Sequence, residues 1–246
     1  MFNGEHFQLA QNMSAKHYNY LLNLPLTLHL APLHTFVGHA GMLPMDPTRK
    51  PTAKQQPLSH VPAVDHPKPP TRLLRLAQEV AVRRDIPQNI NPWSLLNMRS
   101  ILGDGTVTRD GEAGEPWSNL WNAVMGMCVG FASVADDQSP NLDSQLVLNT
   151  GKKHKVHLPC HPSTVVYGHA ASRGLDLKRW TKGLDSGCVY GRKLSALVVN
   201  SHGKHFDDSD ESDDIDDEDM EIAQRTTFGE GRKGRIVRVR CPEAAE

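Results

Sequence analysis

Apolar and polar positions along the chain alternate between helical and strand-like spacing, with long polar stretches between them. Residues 15–24, "AKHYNYLLNL", carry apolar side chains at helical spacing and stop at Pro25. "LTLHL" (26–30) alternates and reads as a strand, and "LHTFVG" (33–38) reads as a short buried strand ending at a glycine. The clearest helix is "TRLLRLAQEVAVRR" (71–84), where Leu73, Leu76, Ala77 and Val80 share one apolar face and Thr71 is the expected N-cap. "NPWSLLNM" (91–98) and "EPWSNLWNAVMGM" (115–127) follow as helices with Pro92 and Pro116 in their first turns. "LGDGTVT" between them contains an Asp-Gly turn. Four further strands are predicted: "STVVYG" (163–168), "CVYG" (188–191), "LSALVVN" (194–200) and "GRIVRVRC" (234–241), the last rejoining the sheet. Residues 44–70 are polar and proline-rich and are expected to form a surface excursion or lid, and 133–155 a loop.

The alternation of strands and helices predicts an α/β architecture. A chain of 246 residues suits one large domain or two small ones, and 38% hydrophobic residues with 17 prolines and 19 glycines imply much loop and some disorder. The net charge of -1 conceals an asymmetry. Residues 207–221, "DDSDESDDIDDEDME", hold 11 acids and no Lys or Arg, so the remainder sets 27 bases against 17 acids. The acidic run is expected to be a disordered insertion in a hairpin, spanning 201–230, with a short tail at 242–246. It lacks the glycine and spacing of an EF-hand loop. A basic body suits an anionic ligand or is simply a solvated surface. Cys128, Cys160, Cys188 and Cys241 form no CxxC pair, which predicts free thiols in a reducing compartment and makes Cys188 a buried structural thiol. No signal peptide or membrane-length apolar run is seen, so the chain alone reads as cytoplasmic with no membrane segment.

Chemistry concentrates where strands end. Gly38-His39-Ala40 and Gly168-His169-Ala170 each follow a β-branched run, 130 positions apart. In α/β proteins such strand ends place side chains in the binding crevice. Neutral imidazole is a common metal ligand, so the two loops could share one ion. A histidine after a strand is equally a hydrogen-bonded structural residue, and both readings stand on spacing alone. A second cluster, His154, His157, Cys160 and His161 in "HKVHLPCH", has zinc-like spacing, but residues three apart on an extended segment diverge, and no site is expected there.

Taken together, "VGHAGMLP" and "VVYGHAASRGLDLKRWTKGLDSGCVYGRKLSALVV" resemble the calcineurin-like metallophosphoesterases. Within them the chain resembles the branch of symmetrical diadenosine tetraphosphatases and fungal endopolyphosphatase-like proteins; "DIPQNINPWSLLNMRSILGDGTVTR" and "PWSNLWNAVM" add to the likeness, which runs from about Lys16 to Cys241. The resemblance implies a β-sandwich with flanking helices and a two-metal site using Zn, Mn or Fe. It assigns His39 and His169 as ligands of the second metal and Arg173, by position, as a phosphate contact. The substrate it implies is polyphosphate, or alternatively diadenosine tetraphosphate or a phosphoprotein; no nucleic-acid partner is expected. Relatives of the polyphosphatase kind are vacuolar. The family's GDxHG, GDxxDRG and GNH motifs do not occur in the sequence, and no catalytic residue is assigned. The chain is therefore expected to be an incomplete C-terminal half, keeping mainly the second sheet and long loops, with that sheet's inner face unpartnered and no activity of its own. The alternative of another class is a non-catalytic fragment or binding module.

Overall fold

A computed structural model describes residues 4–132, 156–199, 220–228 and 231–242. Over the described residues the chain is mixed α/β, with a few helices and three small sheets. Helices α1 (Glu5–Asn12) and α2 (Ala15–Leu22) lead into strands β1 (Thr27–Leu30) and β2 (Thr35–Gly38). Then come α3 (Thr71–Arg84), α4 (Pro92–Asn97), β3 (Ser100–Ile101), β4 (Val107–Thr108), β5 (Glu115–Pro116) and α5 (Trp117–Met125). The later strands are β6 (Thr164–Tyr167), β7 (Asp176–Leu177), β8 (Thr181–Gly183), β9 (Lys193–Val199), β10 (Met220–Phe228) and β11 (Arg232–Arg240).

The main sheet has the order β1-β2-β6-β8-β7. Its centre is parallel: β2 pairs with β6, and β6 with β8. β1 and β7 close the two edges in antiparallel fashion. One face packs on the helices. Phe36 and Val165 are fully buried there, with Trp121 of α5 edge-on to Phe36 at 6.1 Å. The opposite face carries Leu28, half exposed, and Val37 and Val166, partly exposed, in one row across β1, β2 and β6. The three small sheets do not form the two-sheet sandwich that the family resemblance implies.

Lys182 lies in the same row, paired with Val166, and is almost completely buried. Its ammonium donates to the Lys178 carbonyl. Burial disfavours the charged form and lowers the pKa from 10.5 to about 8. Between those values the unfolded chain binds more protons than the folded one, so stability rises with pH in that window. Below pH 8 the buried cation is a constant cost. Lys182→Met is therefore expected to stabilise the fold by about 1–2 kcal/mol at pH 7 after allowing for solvent screening. The gain should shrink as the pH is raised from 8 towards 10.5, which urea melts in parallel buffers would reveal.

Helix α3 departs from its sequence reading. Its buried stripe is Leu74, Arg75, Gln78, Glu79 and Val82, while Leu73 and Leu76 are exposed. Arg75 and Gln78 are satisfied through the backbone of the chain entering β6, and Glu79 through the His29 and His34 side chains. Gln78 bonds both the N–H and the carbonyl of His161, at 2.9 and 2.7 Å, and Arg75 Nη2 donates to the Pro162 carbonyl at 2.6 Å. A polar stripe paired in this way is as buriable as an apolar one. Thr71 is the first helical residue, with Pro70 at the cap; Pro116 is likewise the cap residue of α5.

The proline-rich stretch is corrected in part. It has no helix or strand, yet Met45, Gln56 and Leu58 are buried, and only the portion beyond Ser59 is mostly exposed. Gln56 exchanges two hydrogen bonds with the backbone of Asp46, and Asn89 bonds both backbone groups of Leu43. Side-chain amides thus replace a strand partner for irregular backbone.

The cysteine reading is overturned. All four are paired, Cys128 with Cys160 and Cys188 with Cys241. The first bond fastens the end of α5 to the chain entering β6, and the second ties a turn at 188–190 to the end of β11. Closing 32 and 53 residues, each contributes about 2–4 kcal/mol by restricting the unfolded chain. Cys188 is therefore no free thiol, and "CVYG" is a 3-10 turn with glycines in left-handed conformations at both ends. The strand predicted at 188–191 is thus replaced by this turn, and β8 and β9 on either side of it belong to different sheets.

β9, β10 and β11 form a sheet in the order β10-β11-β9. The last strand thus joins this second sheet rather than the main one. β9 and β10 are its two edges and do not pair with each other. Residues 220–228 of the expected insertion form β10. Residues 201–219 and 133–155 lie outside the described residues.

Candidate metal centre

The three parallel strands β2, β6 and β8 end at Gly38, Tyr167 and Gly183. Immediately beyond them stand His39, His169 and Asp185, at the carboxyl ends of parallel strands where ligands bind in such sheets. His39, Gly168 and Asp185 line one open cleft of about 370 Å³, with Val37, Val166 and Leu184 as its apolar wall.

The two expected histidines meet. His39 Nε2 lies 3.0 Å from His169 Nδ1, with ring centroids 4.8 Å apart. The loops are also joined through their backbones, since the Gly168 N–H donates to the His39 carbonyl at 2.8 Å. His169 adopts a left-handed φ of 66°, which turns its ring back towards His39. One nitrogen of the pair must donate and the other accept, so the two rings cannot both be protonated. His169 has its pKa lowered, first by burial and then by the Arg99 cation and His39, against weaker opposing effects from the Asn97 backbone and Asp185. A neutral imidazole is the form that offers a lone pair to a metal.

Two tests bear on metal fit. Nitrogens 3.0 Å apart would subtend roughly 90° at an ion about 2.1 Å from each, nearer the octahedral than the tetrahedral angle. Of the two His169 nitrogens, Nδ1 is the one that faces His39, while Nε2 is buried on the other side of the ring. Against this, a stable site needs at least three protein ligands. Among the described residues no group of three His, Cys, Asp or Glu side chains is arranged to hold an ion. The residues present fit half of one coordination sphere.

Gly41 explains why the first loop ends in Ala-Gly. Its φ is +132°, and a Cβ there would lie 2.1 Å from Trp117 Cζ2. The fully buried Trp117 is itself held edge-on against Tyr167 at 4.6 Å. Tyr167 donates to Asp176, as does Ser118 at 2.7 Å, and Lys178 pairs with the same carboxylate. This network sits beneath the cleft and braces the end of β6.

Arg173 is near the pair but turned aside: Nη2 donates to the Arg99 carbonyl at 3.4 Å, while Nη1 is buried without a hydrogen-bond partner. The alternative zinc cluster does not form, because Cys160 is consumed in its disulfide and His161 lies edge-on to Phe131; His154 lies outside the described residues. Sequence reasoning missed Arg99 and Asp185. For Asp185 the signal was available, since it follows a strand end as the histidines do; for Arg99 there was none. No family model, no curated protein and no solved structure matches this chain.

Proposed function

We propose that the chain supplies the second-metal half of a two-metal phosphoesterase site acting on a phosphoanhydride, with polyphosphate the favoured substrate. The observation that supports this is the convergence of His39 and His169, brought to 3.0 Å from loops 130 residues apart. In such a site a divalent ion, when bound, polarises the phosphoryl oxygen and activates water. His39 and His169 would hold it through their neutral rings, with Asp185 at the cleft margin. Arg173 and Arg99 would place positive charge beside an anionic chain. Diadenosine tetraphosphate and phosphoprotein are the alternative substrates.

Alone, the chain is expected to bind metal weakly and to hydrolyse nothing, since the first-metal and general-acid motifs do not occur in its sequence. The lack of a third ligand among the described residues favours one competing reading, a non-catalytic binding module. The pairing of all four cysteines favours an oxidising compartment, which accords with a vacuolar or other lumenal setting and not with a reducing cytoplasm. Among the described residues no helix is long and apolar enough to cross a membrane.

The test joins this chain to a segment carrying GDxHG, GDxxDRG and GNH and supplies Mn²⁺ or Zn²⁺. Hydrolysis of polyphosphate is expected, falling at least about 100-fold in His39→Ala and His169→Ala as befits loss of metal ligands. Inactivity towards polyphosphate, dinucleotide and aryl phosphate alike would leave the binding-module reading standing.

A further inference from the structure

We infer that Arg99 is a positioning residue for the histidine pair: its guanidinium holds the His169 carbonyl, and with it the turn that aims His169 at His39. The functional meaning of this role rests on the metal reading above; the geometry does not.

Only His34 and His169 are non-glycine residues with positive φ among the described residues. A left-handed residue of this kind costs about 1–3 kcal/mol and persists only where its surroundings fix it. At His169 the fixing group is identifiable. Arg99 Nε and Nη2 both donate to the His169 carbonyl, at 3.2 Å each, and Nη1 donates to the Arg109 carbonyl at 2.9 Å. Arg99 is itself immobilised by its backbone. Its N–H donates to the Thr108 carbonyl at 2.9 Å, and its own carbonyl accepts from Trp117 N–H and Arg173 Nη2, each at 3.4 Å.

The same segment reaches the other loop. The Leu95 carbonyl at the heart of α4 accepts the Ala40 N–H at 3.1 Å. Five residues, from Leu95 to Arg99, therefore grip both histidine loops, one by a carbonyl and one by a guanidinium. A planar fork suits this task and a lysine does not, because an ammonium is a point donor that cannot reproduce the paired Nε and Nη2 contacts together with the Nη1 contact.

The experiment follows two ring contacts by nuclear Overhauser effects in the metal-free chain with labelled histidines. One is His39 to His169; the other, His29 to Phe36 at 5.0 Å, lies on the helix-covered face of the sheet and reports on the fold. Arg99→Met is expected to lose the first contact and keep the second, and Arg99→Lys to weaken the first while keeping the second. Should Arg99→Met not fold, the lysine variant carries the test. An unchanged His39–His169 contact in either variant, or loss of both contacts together in Arg99→Lys, would overturn the assignment. A Co²⁺ titration of the unaltered chain is read separately: failure to bind would tell against the metal reading and leave the Arg99 result intact.

Discussion

Gly41→Ala is expected to destabilise the chain by at least about 3 kcal/mol. The added methyl would sit 2.1 Å from Trp117 Cζ2 and 2.3 Å from Cε2, well inside contact distance. Trp117 has nowhere to go, being fully buried with Tyr167 against its ring. The backbone cannot yield easily either, because φ at Gly41 is +132°, a conformation side-chain-bearing residues rarely adopt. His39 stands two residues away, so strain there should also disturb the His39–His169 contact. Urea denaturation at neutral pH gives the measurement; a change under about 0.5 kcal/mol, as for an ordinary surface substitution, would show that the close approach is not real.

Glu79→Ala is expected to cost a further large amount, about 3–5 kcal/mol, for an electrostatic reason. The carboxylate is almost completely buried and accepts from His29 Nε2 at 2.6 Å and His34 Nδ1 at 2.8 Å. Arg75 Nε stands 3.5 Å away on the preceding turn, also buried. Because an ionised carboxylate only accepts, both histidines must present N–H to it. Removing it takes away the counter-charge of a buried guanidinium and the acceptor of three donors, His29, His34 and Ser163, where β1, α3 and the chain entering β6 meet. Replacing both charges together, Arg75→Met with Glu79→Met, should recover much of the loss, since an apolar pair leaves no uncompensated charge. A double variant as unstable as Glu79→Ala would mean that the stranded donors of His29, His34 and Ser163, and not the uncompensated arginine charge, carry the loss.

These two sites also show what was legible in the amino-acid sequence. β2 and β6 were readable because "TFVG" and "TVVY" are short β-branched runs ending at glycine, and the repeated Gly-His-Ala after them marked the site. Only the fold could show that His39 and His169 meet, since contact across 130 residues leaves no local trace. Helix α3 was found but its face was misjudged. Periodicity ranks Leu73 and Leu76 above Arg75, Gln78 and Glu79, whereas burial goes to the residues whose polar groups find partners in β1, at His34 before β2 and in the chain before β6. Cysteine pairing was invisible for a related reason. Spacing excludes CxxC motifs but says nothing of Cα atoms brought to 4.8 and 5.4 Å by folding. "CVYG" has strand-forming residues, yet the glycines at 187 and 191 and the bond to Cys241 wind it into a turn.

The central claim is that two distant loops form one pair of neighbouring metal donors. A Zn²⁺ titration of the isolated chain, followed at the imidazole resonances of all assigned histidines, tests it most directly. The account predicts that His39 and His169 shift together, with weak affinity, and that His29 and His34, held by Glu79, do not move. It would be contradicted if Zn²⁺ left His39 and His169 unmoved, or perturbed His29, His34 or His161 before them.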